Sequence, residues 1–249
     1  MIQKMHNKEE LENIVPSKAI LKQIWEHSTH QGKILPSSRK PLGYVLGGQP
    51  GSGKSVLTET IKKNNKNIIS INGDEYRSWH PYFSEIQNKY GKDSSKITAK
   101  FAGKVTEALI KKAIKEKYNV VIEGTFRTAE TPLKTLKDLK ENGYTTYACI
   151  KTCPADVSWN RCLSRYEEGL NDKSGKERFT DRSHHDLVVK NLAKNADIVF
   201  KSGLADKFGV VGDAGTLLFD SSKNNFNKLP SSAINKELNI SKNKSDIER

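Results

Sequence analysis

Apolar and polar positions along this chain follow two periods in turn. Compact apolar runs cover Gly43 to Gly48, Asn67 to Asn72, Asn119 to Gly124 and Tyr144 to Lys151. Each reads as a buried strand bounded by turn-forming residues. Between them the apolar residues recur at helical spacing. A charged helix carries Ile97, Phe101, Val105 and Ala108 on one stripe. Another spans 132–142, with Thr131-Pro132 as its start and Gly143 as its stop. Pro154 opens a third, with Trp159, Cys162, Leu163, Tyr166 and Leu170 facing inward, and Ser183 to Asn191 reads as a fourth. Residues 1–34 read as helix, broken by a turn at Pro16 and carrying Ile20, Leu21, Ile24 and Trp25. A Pro/Ser/Arg linker from Leu35 to Pro41 leads into the first strand. Asn171 to Asp181 has the polar composition of a lid. Phe208 to Val211 and Leu217 to Phe219, separated by Gly212-Asp213-Ala214-Gly215, read as a hairpin. Strands alternating with helices predict an α/β fold, a parallel sheet with helices on both faces and a C-terminal β-hairpin. The expected organisation is one domain over residues 1–220 and a polar tail over 221–249. The tail is rich in Asn, Ser and Lys, and is predicted to be loosely ordered and dispensable.

The first strand runs into Gly48-Gln49-Pro50-Gly51-Ser52-Gly53-Lys54-Ser55, and a helix beginning Val56-Leu57-Thr58 follows. The spacing G-x-x-x-x-G-K-S between a strand and a helix is that of a loop that cradles phosphates, and it makes the expected sheet P-loop kinase-like. Glycines let successive N–H groups turn toward phosphate oxygens, and the helix N-terminus adds its dipole. Lys54 is placed to reach the terminal phosphates, and the Ser55 hydroxyl is the expected Mg²⁺ ligand. ATP with Mg²⁺ is the predicted cofactor.

Composition narrows the partners. The 249 residues carry a formal charge of +13, which suits anionic ligands such as nucleotide phosphates, nucleic acid or an acidic protein. Few aromatics interleave with the basic residues, which argues against a nucleic-acid face. Cys149, Cys153 and Cys162 have neither paired metal spacing nor an even count, which predicts reduced thiols and a cytoplasmic protein. No apolar run reaches membrane length, so no membrane partner is expected.

Three polar clusters fall just after predicted strands, where ligands bind in open α/β sheets. The phosphate loop is one. Asp74 after the second strand reads as a base for an acceptor hydroxyl, as a residue of the magnesium shell, or as a plain turn cap. Glu123 ends the buried run Val120-Val121-Ile122, so it is either paired with a basic neighbour such as Arg127 or reserved for substrate hydroxyls. Glu107 lies off its helix's apolar stripe and could pair with Lys111 one turn on. Arg165 and Arg178 read either as solvated or as the positive charge that phosphoryl transfer requires. His80, His184 and His185 lack metal-ligand spacing and are read as structural.

Taken together, Gly-Gly-Gln-Pro-Gly-Ser-Gly-Lys-Ser (47–55), Asp74 with His80-Pro81, Thr106-Glu107-Ala108, Val-Ile-Glu-Gly-Thr-Phe-Arg-Thr (121–128), Arg165-Tyr166-Glu167 and Arg178 resemble the zeta toxin/PezT family. The resemblance runs from about residue 10 to about residue 220. It implies a bacterial toxin of the epsilon/zeta type, a P-loop kinase phosphorylating the 3′-hydroxyl of the amino sugar in UDP-N-acetylglucosamine. It implies Lys54, Ser55, Arg165 and Arg178 on ATP-Mg²⁺, Asp74 as base, and Glu107, Glu123, Thr125 and Arg127 on the UDP-sugar. A small acidic helical antitoxin that blocks the phosphate loop is the implied protein partner. The chain departs from the family pattern at Ser55, where threonine is common, at Asn72-Gly73-Asp74, and at Phe126, a position that can be glycine. The competing readings are a phosphotransferase of the same fold acting on an antibiotic, and a nucleic-acid-associated ATPase.

Overall fold

A computed structural model describes residues 6–172, 178–223 and 228–239. Two short N-terminal helices, α1 (Lys8–Glu12) and α2 (Lys18–Ser28), precede β1 (Leu42–Gly47) and α3 (Lys54–Asn64). After β2 (Ile69–Asn72), a 3₁₀ turn over Glu75–Trp79 leads to α4 (Phe83–Tyr90), α5 (Ser94–Ile97) and the long α6 (Ala99–Lys115). Then come β3 (Val120–Glu123), α7 (Glu130–Glu141), β4 (Thr145–Lys151), α8 (Ala155–Asp172) and α9 (Arg182–Lys201). The hairpin β5 (Lys207–Val211) and β6 (Leu217–Asp220) and a last helix, α10 (Pro230–Leu238), complete the chain.

The strands form one sheet in the order β2-β3-β1-β4-β5-β6, parallel throughout except for the antiparallel β5–β6 pair. This is the predicted P-loop kinase-like architecture. β1 lies between β3 and β4, which pair both its edges, while α3 covers one of its faces and α6, α7 and α9 the other; its sequence is accordingly continuously apolar, as central parallel strands are. Val45 belongs to the larger core with Phe101, Val105, Leu136 and Leu192 from α6, α7 and α9. Its neighbour Leu46 packs with Ile68, Val121 and the α3 residues Leu57 and Ile61. Each fully buried Leu or Ile adds about 1.5–3 kcal/mol, so the two layers fix the strand ends firmly. Register then aligns the chemistry: Leu46 pairs with Glu123, and Glu123 with Asn72.

Local boundaries depart from expectation where caps and packing intervene. The N-terminal segment is two helices on either side of the expected Pro16 turn, α1 started by the Asn7 capping box and α2 capped by Ser17, and the second ends at Ser28, short of residue 34. On α8 the buried positions include Ser158 and Cys162, while Leu170 of the predicted stripe is exposed. Helix α9 continues ten residues past Asn191 to Lys201, since Leu192, Ala193, Ala196 and Val199 prolong its buried face. Residues 173–177 of the predicted lid lie outside the described residues.

The expectation of a loosely ordered tail from Ser221 is corrected between Pro230 and Leu238. There Pro230 opens a helix whose Ile234 and Leu238, one turn apart, are buried against α9 and β5. Its first turn is fastened where Ser231 N donates to Asp197 Oδ1 at 2.9 Å. An i, i+4 apolar pair behind a proline start outweighed the polar composition of the segment. The rest of the predicted tail, 224–227 and 240–249, lies outside the described residues. Among the described residues no helix is long and apolar enough to cross a membrane.

Candidate active site

The phosphate loop is bent by three glycines with positive φ: Gly48 (148°), Gly51 (79°) and Gly53 (85°). Packing beneath the loop dictates two of them. A Cβ on Gly48 would lie 2.0 Å from the Lys151 carbonyl oxygen, and one on Gly51 2.0 Å from that of Ser158. The loop is thus pressed onto the end of β4 and the first turn of α8. Gln49, fully buried, anchors it by donating from Nε2 to Cys153 O at 2.8 Å. Pro50 is buried beside it, and Ser52 N closes the turn on Gln49 O at 3.1 Å. Among the described residues, the amides of Gly51, Gly53, Lys54 and Ser55 donate to no protein acceptor. Four free amides at the start of α3 make a cradle that fits a phosphate group.

Lys54 lies in that cradle. Its ammonium donates to Gly48 O at 2.8 Å and Gln49 O at 3.0 Å. Burial pulls its pKa down to about 8; the Glu123 and Asp74 carboxylates push it back up, and the Arg178 and Arg165 guanidiniums add to the lowering. The two strand-end carboxylates, the α8 arginine Arg165 and the lid arginine Arg178 thus all bear on the charge of this one ammonium. Ser55, the next residue on α3, is exposed, and its hydroxyl is a hard oxygen donor of the kind Mg²⁺ takes beside nucleotide phosphates.

Asp74 follows β2 through a turn in which its own N–H donates to Asn72 Oδ1 at 3.1 Å. One carboxylate oxygen accepts from Arg77 Nε at 3.1 Å, and the other faces Arg178 Nη1 at 2.5 Å. Burial would raise its pKa, but Arg178, Arg77 and Lys54 outweigh it and hold the carboxyl below its ordinary range. Arg77 is itself fixed, donating to Ser95 O and to Thr98 Oγ1. Arg165 donates to Thr180 Oγ1 at 3.3 Å, and burial together with the neighbouring Arg178 lowers its pKa. Asp74, Arg165 and Arg178 line one end of a cavity of about 710 Å³ that also takes in Asn72, Tyr76 and Trp79. The arrangement places paired positive charge and one ionised carboxylate at the mouth of a phosphate cradle, which is what phosphoryl transfer to a hydroxyl needs.

The remaining predicted residues are less tightly gathered. Glu123 is not paired with Arg127: its Oε1 accepts from Thr58 Oγ1 at 2.6 Å, and its Oε2 from Asn72 Nδ2 at 3.5 Å. Glu107 sits on the exposed face of α6 beside Lys104 at 3.9 Å, one turn back instead of forward to Lys111. Thr125 is half-buried and accepts from Arg127 N at 3.4 Å, and the Arg127 side chain is exposed. None of Glu107, Glu123, Thr125 and Arg127 lines the 710 Å³ cavity. His80 bonds to Leu11 O and His185 to Ser158 Oγ, both buried, in keeping with structural roles.

Three supporting residues escaped the sequence reading. Arg77 carries a readable signal, standing at i+3 from Asp74; Thr58 acts on Glu123, 65 residues further on, and carries none. Nor does Asn195: from the middle of α9 its Nδ2 donates to both Phe126 O and Arg127 O at 2.8 Å, pinning the loop after β3. Phe126 itself has φ 55°, which explains why glycine suits that position.

Comparison with known proteins agrees with this geometry. Residues 26–224 match the family model described as zeta toxin. The chain is 35% identical over 189 residues to toxin PezT of Streptococcus pneumoniae serotype 4, covering 76% of this chain and 75% of that protein. It is 36% identical over 210 residues to toxin zeta of Streptococcus pyogenes, covering 84% and 72%. A solved structure from the PezAT chromosomal toxin–antitoxin system of S. pneumoniae superposes with a TM-score of 0.78 at 26% identity, covering 95% of each chain.

Proposed function

Because the chain belongs to the zeta toxin family, we propose that it is an ATP-dependent kinase of the 3′-hydroxyl of the amino sugar in UDP-N-acetylglucosamine. As such it would be a cytoplasmic bacterial toxin that blocks cell-wall precursor synthesis. The observation that carries the reading is the Arg178–Asp74 ion pair at 2.5 Å, in a cavity that Arg165 also lines, beside a glycine loop whose Lys54 ammonium is held on Gly48 O and Gln49 O. In this reading the loop amides and Lys54 hold the triphosphate, and Ser55 would hold a Mg²⁺ ion, which would supply charge neutralisation to the phosphates. Arg178 leaves Asp74 for the transferring phosphoryl group, joined there by Arg165. Asp74 Oδ2, released from that ion pair, orients the acceptor hydroxyl and takes its proton. Glu107, Glu123, Thr125 and Arg127 hold the UDP-sugar, with Thr58 and Asn72 setting the Glu123 carboxylate and Asn195 the backbone of the Arg127 loop.

The low basicity of Asp74 is compatible with this role. In a loose phosphoryl-transfer transition state the nucleophile keeps its proton until late, so even a weak base serves, provided it is ionised and aimed at the hydroxyl. A small acidic helical antitoxin that occludes the cradle is part of the same proposal. It draws on the toxin–antitoxin system of the structural relative and on the +13 charge.

The test is a panel of acceptors. The protein is incubated with Mg²⁺ and ATP plus UDP-N-acetylglucosamine, a hydroxyl-bearing antibiotic, or DNA and RNA, and products are read by mass spectrometry. Phosphorylated UDP-N-acetylglucosamine is the expected product. Phosphorylation of the antibiotic alone, or ATP hydrolysis stimulated by nucleic acid alone, would replace the proposal with one of its rivals.

A further inference from the structure

Helix α10 lies beyond the residues matched to the family, 26–224, yet it carries a buried carboxylate to the sheet's ligand-binding end. Glu237 is 9% exposed, and its Oε1 accepts from Asp213 N at 2.8 Å. A Cβ on Gly212 would stand only 2.9 Å from the same oxygen, so the helix and the β5–β6 turn are in close contact. That turn is held from two further sides. Lys151, buried at the end of β4, donates from Nζ to Gly212 O and to Asp213 O. Arg161 grips the Asp213 carboxylate through both terminal nitrogens, at 2.6 and 3.1 Å.

Lys151 also belongs to the phosphate loop's floor. Its carbonyl presses on Gly48, and its Cε lies 3.6 Å from where a Cβ on Gly53 would be. One residue thus sets the β5–β6 turn beside the cradle, with the cradle held from below by the Lys151 backbone.

The sheet order says what this turn faces. Asp74 follows β2 and Glu123 ends β3, so the transferring phosphate points to that side of β1. The other half of a nucleotide on the loop must extend the opposite way, over the ends of β4 and β5. Arg161 and Arg165 stand one turn apart on α8, and Arg161 faces the turn after β5 while Arg165 lies at the phosphoryl end.

We propose that Glu237 is a positioning residue for the nucleotide: by holding the Asp213 amide it sets the Arg161–Asp213 pair as the wall for the nucleoside half of ATP. The catalytic unit then extends through α10 instead of ending near residue 220. This rests on reading the site as a nucleotide site. It also accounts for a buried carboxylate, costly unless satisfied, in a helix whose other buried positions are apolar or small.

The experiment compares Mg²⁺-ATP with inorganic tripolyphosphate, which has the phosphates and no nucleoside, by calorimetry on the full chain. Glu237→Ala leaves the Asp213 amide unpaired and is expected to weaken ATP about tenfold while leaving tripolyphosphate affinity unchanged. Glu237→Gln keeps an acceptor and restores ATP affinity. Ile234→Ala, which loosens α10 without touching the turn, lowers Tm and leaves ATP affinity as in the parent. If Glu237→Ala does not fold, Gly212→Ala displaces the turn from the other side and is expected to show the same ATP-selective loss. Unchanged ATP affinity in Glu237→Ala, or equal loss of ATP and tripolyphosphate, would overturn the proposal. A parent protein that binds neither ligand would instead overturn the nucleotide reading, and this proposal with it.

Discussion

Arg178 Nη1 stands 2.5 Å from Asp74 Oδ2, joining a residue of the segment before α9 to the carboxylate that ends the β2 turn. With Arg77 on the other oxygen, Asp74 is held ionised and aimed. Replacing Arg178 therefore has two effects. Arg178→Ala should lower transfer by about 10³-fold, the scale for losing an arginine that stabilises the phosphoryl group. It should also let the Asp74 pKa rise, moving the acid limb of the kcat/KM profile to higher pH. A pH–rate profile of the variant checks both, and an acid limb that stays in place would detach Asp74 from the rate.

Lys54 gives the profile its alkaline limb. Its pKa is drawn down to about 8 in the folded protein, against an ordinary lysine value of 10.5, by burial above all. Phosphate binding needs the ammonium, so ATP affinity should be flat below pH 8 and fall as pH rises beyond it. Stability runs the other way: between these two values the unfolded chain holds a proton that the folded chain has shed, so this group makes the protein more stable as pH rises. Titrating ATP against the parent and Lys54→Met from pH 7 to 10 tests the assignment. The variant should bind weakly and without this slope.

The loop after β3 depends on a tight contact with β1. A Cβ on Gly47 would lie 2.3 Å from Phe126 Cδ2 and 2.7 Å from Ile150 Cδ1. Gly47→Ala should destabilise by about 1–3 kcal/mol through overpacking, with Tm falling roughly 2–4 °C for each kcal/mol. Adding Phe126→Ala makes room for the new methyl group. The double variant should therefore lose less than the sum of the singles, and strict additivity in thermal melts would show that the two sites do not touch in solution.

Thr58 offers a way to disturb Glu123 without removing it. Thr58→Val deletes the hydroxyl that donates to Glu123 Oε1 at 2.6 Å and keeps the shape of a buried side chain. The KM for the UDP-sugar is expected to rise about three- to tenfold, the scale of one lost buried hydrogen bond, with ATP affinity unchanged. Steady-state kinetics at fixed ATP, with ATP binding measured beside them, separate the two.

The parts of this site that the sequence made legible are those fixed by local chemistry. Gly48, Gly51 and Gly53 are required by a loop that any phosphate cradle needs. Glu123 stands out because a carboxylate at the end of a buried strand is costly unless it has a task, and Asp74 because it follows a strand at the sheet edge where ligands bind. Arg77 was within reach of i+3 reasoning from Asp74, whereas Thr58 was not, its partner Glu123 lying 65 residues on. Asn195 and Glu237 were not either, since each acts on a loop distant in sequence and nothing near it in the chain signals the contact. The packing of α10 was hidden by composition: Ile234 and Leu238 form an apolar stripe in a segment otherwise full of Asn, Ser and Lys.

The central claim is that Asp74 serves transfer and not nucleotide binding, and Asp74→Asn tests it most directly. The variant keeps the side-chain shape while removing its charge and most of its basicity. Affinities for Mg²⁺-ATP and UDP-N-acetylglucosamine, measured by calorimetry, should stay close to those of the parent. Formation of 3′-phosphorylated product, measured by mass spectrometry, should fall by about 10²–10⁴-fold. Product formed at the parental rate, or a loss of ATP affinity as large as that of Lys54→Ala, would contradict the role assigned to Asp74.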